Sequence, residues 1–95
     1  MSLSDLLAVY MLLNTMLKRS MTFFSQISAI PIGTKILLLE YAVTLITTRQ
    51  SIESLLKKKK TFFNKSDLGM LKKALSSCAD YEIKLHNSGI SLDLH

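Results

Sequence analysis

The strongest chemical signal in the sequence is a cluster of seven lysines within residues 57–73, where Asp67 is the one acid. Its members are Lys57, Lys58, Lys59, Lys60, Lys65, Lys72 and Lys73. The segment carries a net charge of +6 and the whole chain +5, so the other 78 residues together carry −1. Lysines can hold the phosphates of nucleic acids or lipids, and the adjacent Phe62 and Phe63 could stack on bases or enter a bilayer. The same lysines also suit a solvated helix end or an acidic protein partner, because cations complement the helix dipole.

Nucleophilic and metal-binding residues are scarce. Cys78 is the single cysteine, which excludes an intramolecular disulfide, and its apolar neighbours indicate a core thiol rather than a nucleophile. His86 and His95 are too few and too far apart for a metal site. The chain carries no glycine-rich phosphate loop and no nucleophile–base motif. The sequence therefore predicts neither an enzyme nor a cofactor or metal site.

Two opposite charges fall where a helical pattern expects apolar residues. On a wheel of 100° per residue, Arg49 and Glu53 lie at about 180° and 220° from Glu40, opposite the polar side of their helix. Their spacing of four lets them pair along the helix. The pair could overhang the core in water, or it could lie in an interface and fix the register of a partner.

Exposed apolar residues supply further candidates for a binding surface. Leu7 and Met11 lie on the otherwise polar side of the first helical pattern, and Met70 lies off the apolar side of the last. Flexible methionine suits adaptable recognition, although it also fills gaps in cores. The predicted partner-binding set is Leu7, Met11, Arg49, Glu53 and Met70.

The elements that position these residues are helices. Apolar periodicity predicts helices over residues 3–22, 35–59 and 66–86, and residues 22–29 have the length for a short fourth helical turn. Ser2 and Asp5 have the spacing of a capping box. Pro31 and Gly33 interrupt the chain before the second helix.

The second helix has a narrow polar stripe and is otherwise almost entirely apolar. The stripe lies within about 40° of Glu40 and comprises Glu40, Thr44, Thr47, Ser51, Ser54 and Lys58. A helix with so little polar surface should be packed on two or three sides. We therefore expect it at the centre of the fold.

Composition sets the class. Hydrophobic residues make up 48% and charged residues 20%, which excludes intrinsic disorder. The sequence predicts one all-α domain over 1–95, either a small bundle or an array of helical hairpins, with a flexible or extended tail at 87–95. The apolar runs are too short or too interrupted to cross a membrane, and Asp5 stands where a signal peptide carries positive charge. A reducing, cytoplasmic location is expected.

Function follows from an excess of apolar surface. Three helices of this size cannot bury every apolar residue, and exposed apolar patches mark interaction sites. We expect a non-enzymatic protein–protein interaction module, such as a small chaperone, adaptor or inhibitor, that holds a partner helix or forms a homodimer. The alternative is a small basic regulator that associates with nucleic acid, or with an anionic membrane surface, through the lysine cluster of residues 57–73.

Overall fold

The computed structural model describes residues 1–26 and 30–92, and its helices are α1 (Leu3–Gln26), α2 (Ile32–Leu56) and α3 (Gly69–Asn87). The prediction of an all-α chain with three main helices is confirmed. Interhelix hydrogen bonds connect early residues of one helix with late residues of the next, so α2 runs antiparallel to both α1 and α3. The result is a three-helix bundle measuring 46 × 20 × 19 Å.

The break between α1 and α2 is shorter than predicted. α1 continues to Gln26 because half-buried Phe23 and Phe24 extend its apolar side, so residues 22–26 form no separate helical turn. The rest of the predicted fourth turn, residues 27–29, lies outside the described residues. α2 begins at Ile32, not 35, because the carbonyl of Pro31 already accepts the amides of Thr34 and Lys35.

The connection between α2 and α3 is longer than predicted. α2 ends at Leu56, not 59: the amides of Lys58 and Lys59 bond three residues back, and Lys59 then adopts a left-handed φ of 55°. Asn64 caps the next turn, since its side-chain oxygen accepts the amide of Asp67 at 2.9 Å. α3 itself starts at Gly69, after this turn.

α3 ends in a Schellman motif at Gly89. The amide of Gly89 donates to the carbonyl of His86 and that of Ile90 to the carbonyl of Leu85, while Gly89 takes a φ of 86°. Ile90 is buried with Leu85 in the core. The flexible or extended tail at 87–95 stays a prediction: Asn87 closes α3, and residues 93–95 lie outside the described residues.

α2 lies at the centre of the bundle, as its apolar pattern predicted. It packs against both α1 and α3, whereas the described residues of α1 and α3 make no close backbone contact with each other. The fully buried side chains come from all three helices and from the α2–α3 connection. The largest are Tyr41, Phe63, Leu6, Leu38, Leu45, Ile52, Leu71 and Leu85.

The hydroxyl groups along α2 bond to their own helix. Thr44, Thr47, Thr48 and Ser51 each donate to the carbonyl four residues earlier, at 2.7–3.2 Å. Three of these side chains belong to the predicted polar stripe, and buried Thr48 lies beside it, 3.4 Å from the Cys78 sulfur. Half of the six stripe side chains are therefore hydrogen-bonded to their own helix.

Candidate functional site

The chain reverses between α2 and α3 at one end of the bundle, and residues 57–65 there form what we call the basic tip. Phe63 is completely buried, whereas the neighbouring Phe62 is 64% exposed. The N-terminal segment pairs with this turn. The amide of Phe63 donates to the carbonyl of Met1 at 2.8 Å, and the amide of Leu3 donates to the carbonyl of Thr61 at 2.9 Å. An antiparallel bridge thus fixes the backbone on either side of Phe62.

All seven lysines of the predicted cluster are exposed. Five lie in the basic tip, and Lys72 and Lys73 are the fourth and fifth residues of α3. Lys58 and Lys60 approach the Asp67 carboxylate at 3.8 and 3.1 Å. The pKa of Asp67 is lowered, first by the backbone amide of Asn64, which donates to its carboxylate, and then by Lys60. The structure therefore brings most of the cluster together and balances part of its charge with one carboxylate.

The five predicted partner-binding residues lie on all three helices. Leu7 and Met11 are exposed one turn apart on α1. Met70 is exposed on α3, which makes no close backbone contact with α1 in the described chain. Arg49 and Glu53 lie on α2 and turn toward α1. Their role toward a partner stays a prediction.

Arg49 and Glu53 belong to a polar network between α1 and α2. Arg49 donates to the side-chain oxygen of Asn14 at 2.9 Å, and Glu53 accepts the Tyr10 hydroxyl at 3.0 Å. Arg49 Nε lies 3.8 Å from Glu53 Oε1, too far for a hydrogen bond, and has no other acceptor among the described residues. Both charges thus keep partial exposure while linking two helices of the same chain.

Two tyrosine–glutamate hydrogen bonds join α2 and α3, and each helix supplies one tyrosine and one glutamate. Tyr41 donates to Glu82 at 2.7 Å, and Tyr81 donates to Glu40 at 3.2 Å. Burial is the main cause that raises the pKa of Tyr41, with the Glu82 carboxylate second, whereas the bond to Glu40 raises the pKa of Tyr81. Each hydroxyl bonds to a residue 41 positions away on another helix, so helical spacing carries no signal for these partners.

The largest exposed aliphatic row lies on the N-terminal half of α2, and we call it the α2 seam. It consists of Ile32, Ile36, Leu39 and Val43, which are 78%, 51%, 47% and 61% exposed. Their steps of four, three and four residues keep them on one face of a helix. That face points away from Tyr41, Thr48 and Arg49, which bond to α3 and α1. The seam was not among the predicted site residues.

A cavity of about 310 Å³ lies between α1, α3 and the segment after α3. Leu12 and Met16 line it from α1, and Leu85 and Ile90 complete an aliphatic floor. Glu82 reaches its edge but already accepts the hydroxyl of a buried tyrosine. We assign no chemistry to this cavity.

Reactive groups are dispersed. Cys78 is buried, and burial raises the pKa of its thiol, which disfavours the nucleophilic thiolate. Within residues 1–26 and 30–92, no three His, Cys, Asp or Glu side chains are grouped so that they could hold a metal ion. None of the helices over the same residues combines the length and apolar character needed to cross a bilayer.

The α2 seam and the basic tip are thus the two surfaces with a distinct chemical character. One is aliphatic and lies on the outer side of the central helix; the other is cationic, with one exposed aromatic ring. Compared with protein-family models, curated proteins and solved structures, the chain matches none of them, so these two surfaces carry the functional argument.

Proposed function

We propose that the protein is a non-enzymatic interaction module that pairs the α2 seam with a helix of another protein molecule. The observation that carries this proposal is the row of four exposed aliphatic side chains at steps of four and three residues. Exposed apolar surface marks binding sites, and this spacing is what a helix presents to a partner helix. A chaperone, adaptor or inhibitor in the cytoplasm would use such a surface, and the partner decides among these roles.

A second copy of the chain has the complementary pattern. In the heptad repeat of a coiled coil, β-branched Ile36 and Val43 occupy position a and Leu39 occupies position d. This pattern favours a coiled coil of two parallel helices. In that register Lys35 at position g faces Glu40 of the second copy at position e, so opposite charges meet on both sides. Lys35 has no carboxylate partner within the described chain. We therefore propose a parallel homodimer as the first assembly to test.

The expected homodimer is weak. The seam and half-buried Ile46, which continues its spacing, cover residues 32–46, about 21 Å of helix. Stable complexes bury roughly 800 Å² on each partner, and a seam of two heptads supplies less. We expect a dissociation constant of about micromolar or weaker, and therefore an assembly that depends on protein concentration.

Sedimentation equilibrium of the full chain tests the proposal. Leu39→Glu places a charge in the middle of the seam and should give a monomer at concentrations where the native chain is dimeric. Ser54→Glu adds the same charge to an exposed position of α2 beyond the seam, so it should leave assembly unchanged. Equal effects of the two variants would contradict the proposal.

Charge reversal tests the parallel register. Lys35→Glu or Glu40→Lys alone should weaken the dimer, because like charges then face each other, and the double variant should restore it. Failure of the double variant to restore assembly would rule out the parallel register. A native chain that is monomeric but binds an apolar dye in a Leu39-dependent way would exclude self-pairing and assign the seam to a foreign helix.

A further inference from the structure

We infer that the basic tip docks on anionic lipid bilayers, with Phe62 entering the headgroup region and the lysines lying over the lipid charges. The tip follows the C-terminal end of α2, whereas the α2 seam occupies the N-terminal half of the same helix. The two surfaces share no residue. Lipid binding by the basic tip therefore does not depend on helix pairing through the α2 seam.

The backbone on either side of Phe62 is held in place. Phe63 is anchored in the core, and successive side chains of an extended segment point to opposite sides, so Phe62 is directed into solvent. Hydrogen bonds from Leu3 and Phe63 tie the turn to the N-terminal segment on both sides of this ring. An aromatic ring that is already presented loses little conformational entropy when it enters a bilayer.

The charge around this ring is only partly balanced. Asp67 pairs with Lys58 and Lys60, but no carboxylate of the described residues pairs with Lys57, Lys59 or Lys65. All five lysines are exposed within a few residues of Phe62. An exposed ring with three unpaired lysines nearby in the chain matches the interface of an anionic membrane, where lysines attract headgroups and the ring enters among them.

The form of the site favours a membrane surface over single-stranded nucleic acid as its ligand. The basic tip is a turn at one end of a bundle about 20 Å wide, and all five of its lysines are exposed there. Proteins that bind single-stranded nucleic acid use a cationic groove that follows the backbone and several rings for stacking. A turn with exposed lysines and one exposed ring lacks such a row of rings, and it suits a flat anionic surface instead.

Phe62→Trp provides a direct probe, because the native chain contains no tryptophan. With vesicles of phosphatidylcholine and phosphatidylserine, its emission maximum should shift to shorter wavelength as the indole leaves water. Vesicles of phosphatidylcholine alone should cause no shift. Ile83→Trp is the matched control, since Ile83 is 59% exposed on α3, away from the tip. An equal shift for both variants would overturn the inference.

Co-sedimentation with the same vesicles tests the lysines. Each lysine near an anionic surface changes the partition coefficient about fivefold, so Lys57→Gln with Lys59→Gln should lower it about 25-fold. The matched pair Lys18→Gln and Lys84→Gln removes two exposed lysines from other parts of the bundle and should change it less than about twofold. Equal losses from both pairs would mean nonspecific attraction and overturn the inference.

A single-stranded oligonucleotide separates the competing ligand class. The oligonucleotide could quench the Phe62→Trp emission without shifting its maximum, while anionic vesicles neither bind the protein nor shift its emission. In that case the site binds nucleic acid and the lipid inference is wrong. If neither ligand binds, the lysines are a solvated helix end and the inference is also wrong. A vesicle-dependent shift that Lys57→Gln with Lys59→Gln abolishes supports it.

Discussion

At the scale of single residues, Asp67 organises the connection between α2 and α3. Its carboxylate accepts the Asn64 amide at 3.1 Å and the Lys60 ammonium at 3.1 and 3.2 Å. Asn64 returns the bond by accepting the Asp67 amide, which completes a reciprocal capping arrangement. One carboxylate thus caps a helical turn and pairs with two lysines of the basic tip.

This arrangement predicts a contribution to stability that depends on pH. The folded state lowers the pKa of Asp67 below its ordinary value of 3.8, so the stabilisation is present above that value and is lost as the pH falls through the lowered pKa. Asp67→Asn should reduce the melting temperature at pH 7, and the difference from the native chain should vanish in strong acid. Thermal melts between pH 7 and 2 measure it.

Asp80→Asn is the matched control, because Asp80 is exposed and makes no ion pair in the described chain. It should leave the melting temperature nearly unchanged across this range. If Asp67→Asn behaves in the same way, the capping carboxylate contributes nothing to folding.

At the scale of elements, glycine acts in opposite ways at two helix ends. Gly89 holds a φ of 86°, and a β-carbon there would meet no neighbour, so the cost of alanine comes from the backbone alone. Gly89→Ala should destabilise the chain by about 1–2 kcal/mol. Gly33→Ala, within the first turn of α2 and also in open space, should stabilise it by up to about 1 kcal/mol. Urea unfolding of both variants measures the two signs, and equal signs would contradict the Schellman assignment.

The same scale shows what the sequence could predict. Periodicity located all three helices, α1 and α3 through an apolar side and α2 through its narrow polar stripe. The observed helix ends differ from the predicted ones where local hydrogen bonds determine them. The Pro31 carbonyl accepts amides that start α2 earlier than predicted, and Asn64 caps a turn that precedes α3. The α2 seam was hidden, because most positions of α2 outside its polar stripe are apolar, and only the placement of α1 and α3 determines which row is left uncovered.

At the scale of the whole molecule, the bundle depends on α2. The two outer helices make close backbone contact with α2 but not with each other in the described chain, so removing the middle of α2 removes support from both. The apolar composition of α2 predicted this central position. The Tyr41–Glu82 and Arg49–Asn14 contacts that fix the register on its two sides could not be predicted, because they join residues more than 30 positions apart.

A substitution in the centre of α2 should therefore unfold the molecule as one unit. Leu45 is 1% exposed within the common core, and Leu45→Ala should cost about 2–5 kcal/mol through lost burial and a cavity. Circular dichroism and tyrosine fluorescence should report one coincident transition in urea. Exposed Ile83→Ala should cost less than about 0.5 kcal/mol. Two separated transitions for Leu45→Ala would show that one outer helix folds without the centre.

The self-bonded hydroxyls of α2 have a consequence for hydration. Thr44, Thr47 and Ser51 already donate to carbonyls of their own helix, so covering them leaves no hydroxyl hydrogen without an acceptor. The free-energy cost of dehydrating these three hydroxyl groups is therefore smaller than for hydroxyl groups that donate to water. Thr47 lies one turn beyond Val43, so a surface seated on the α2 seam can extend over these three hydroxyls and expel their water without leaving a hydroxyl donor unpaired.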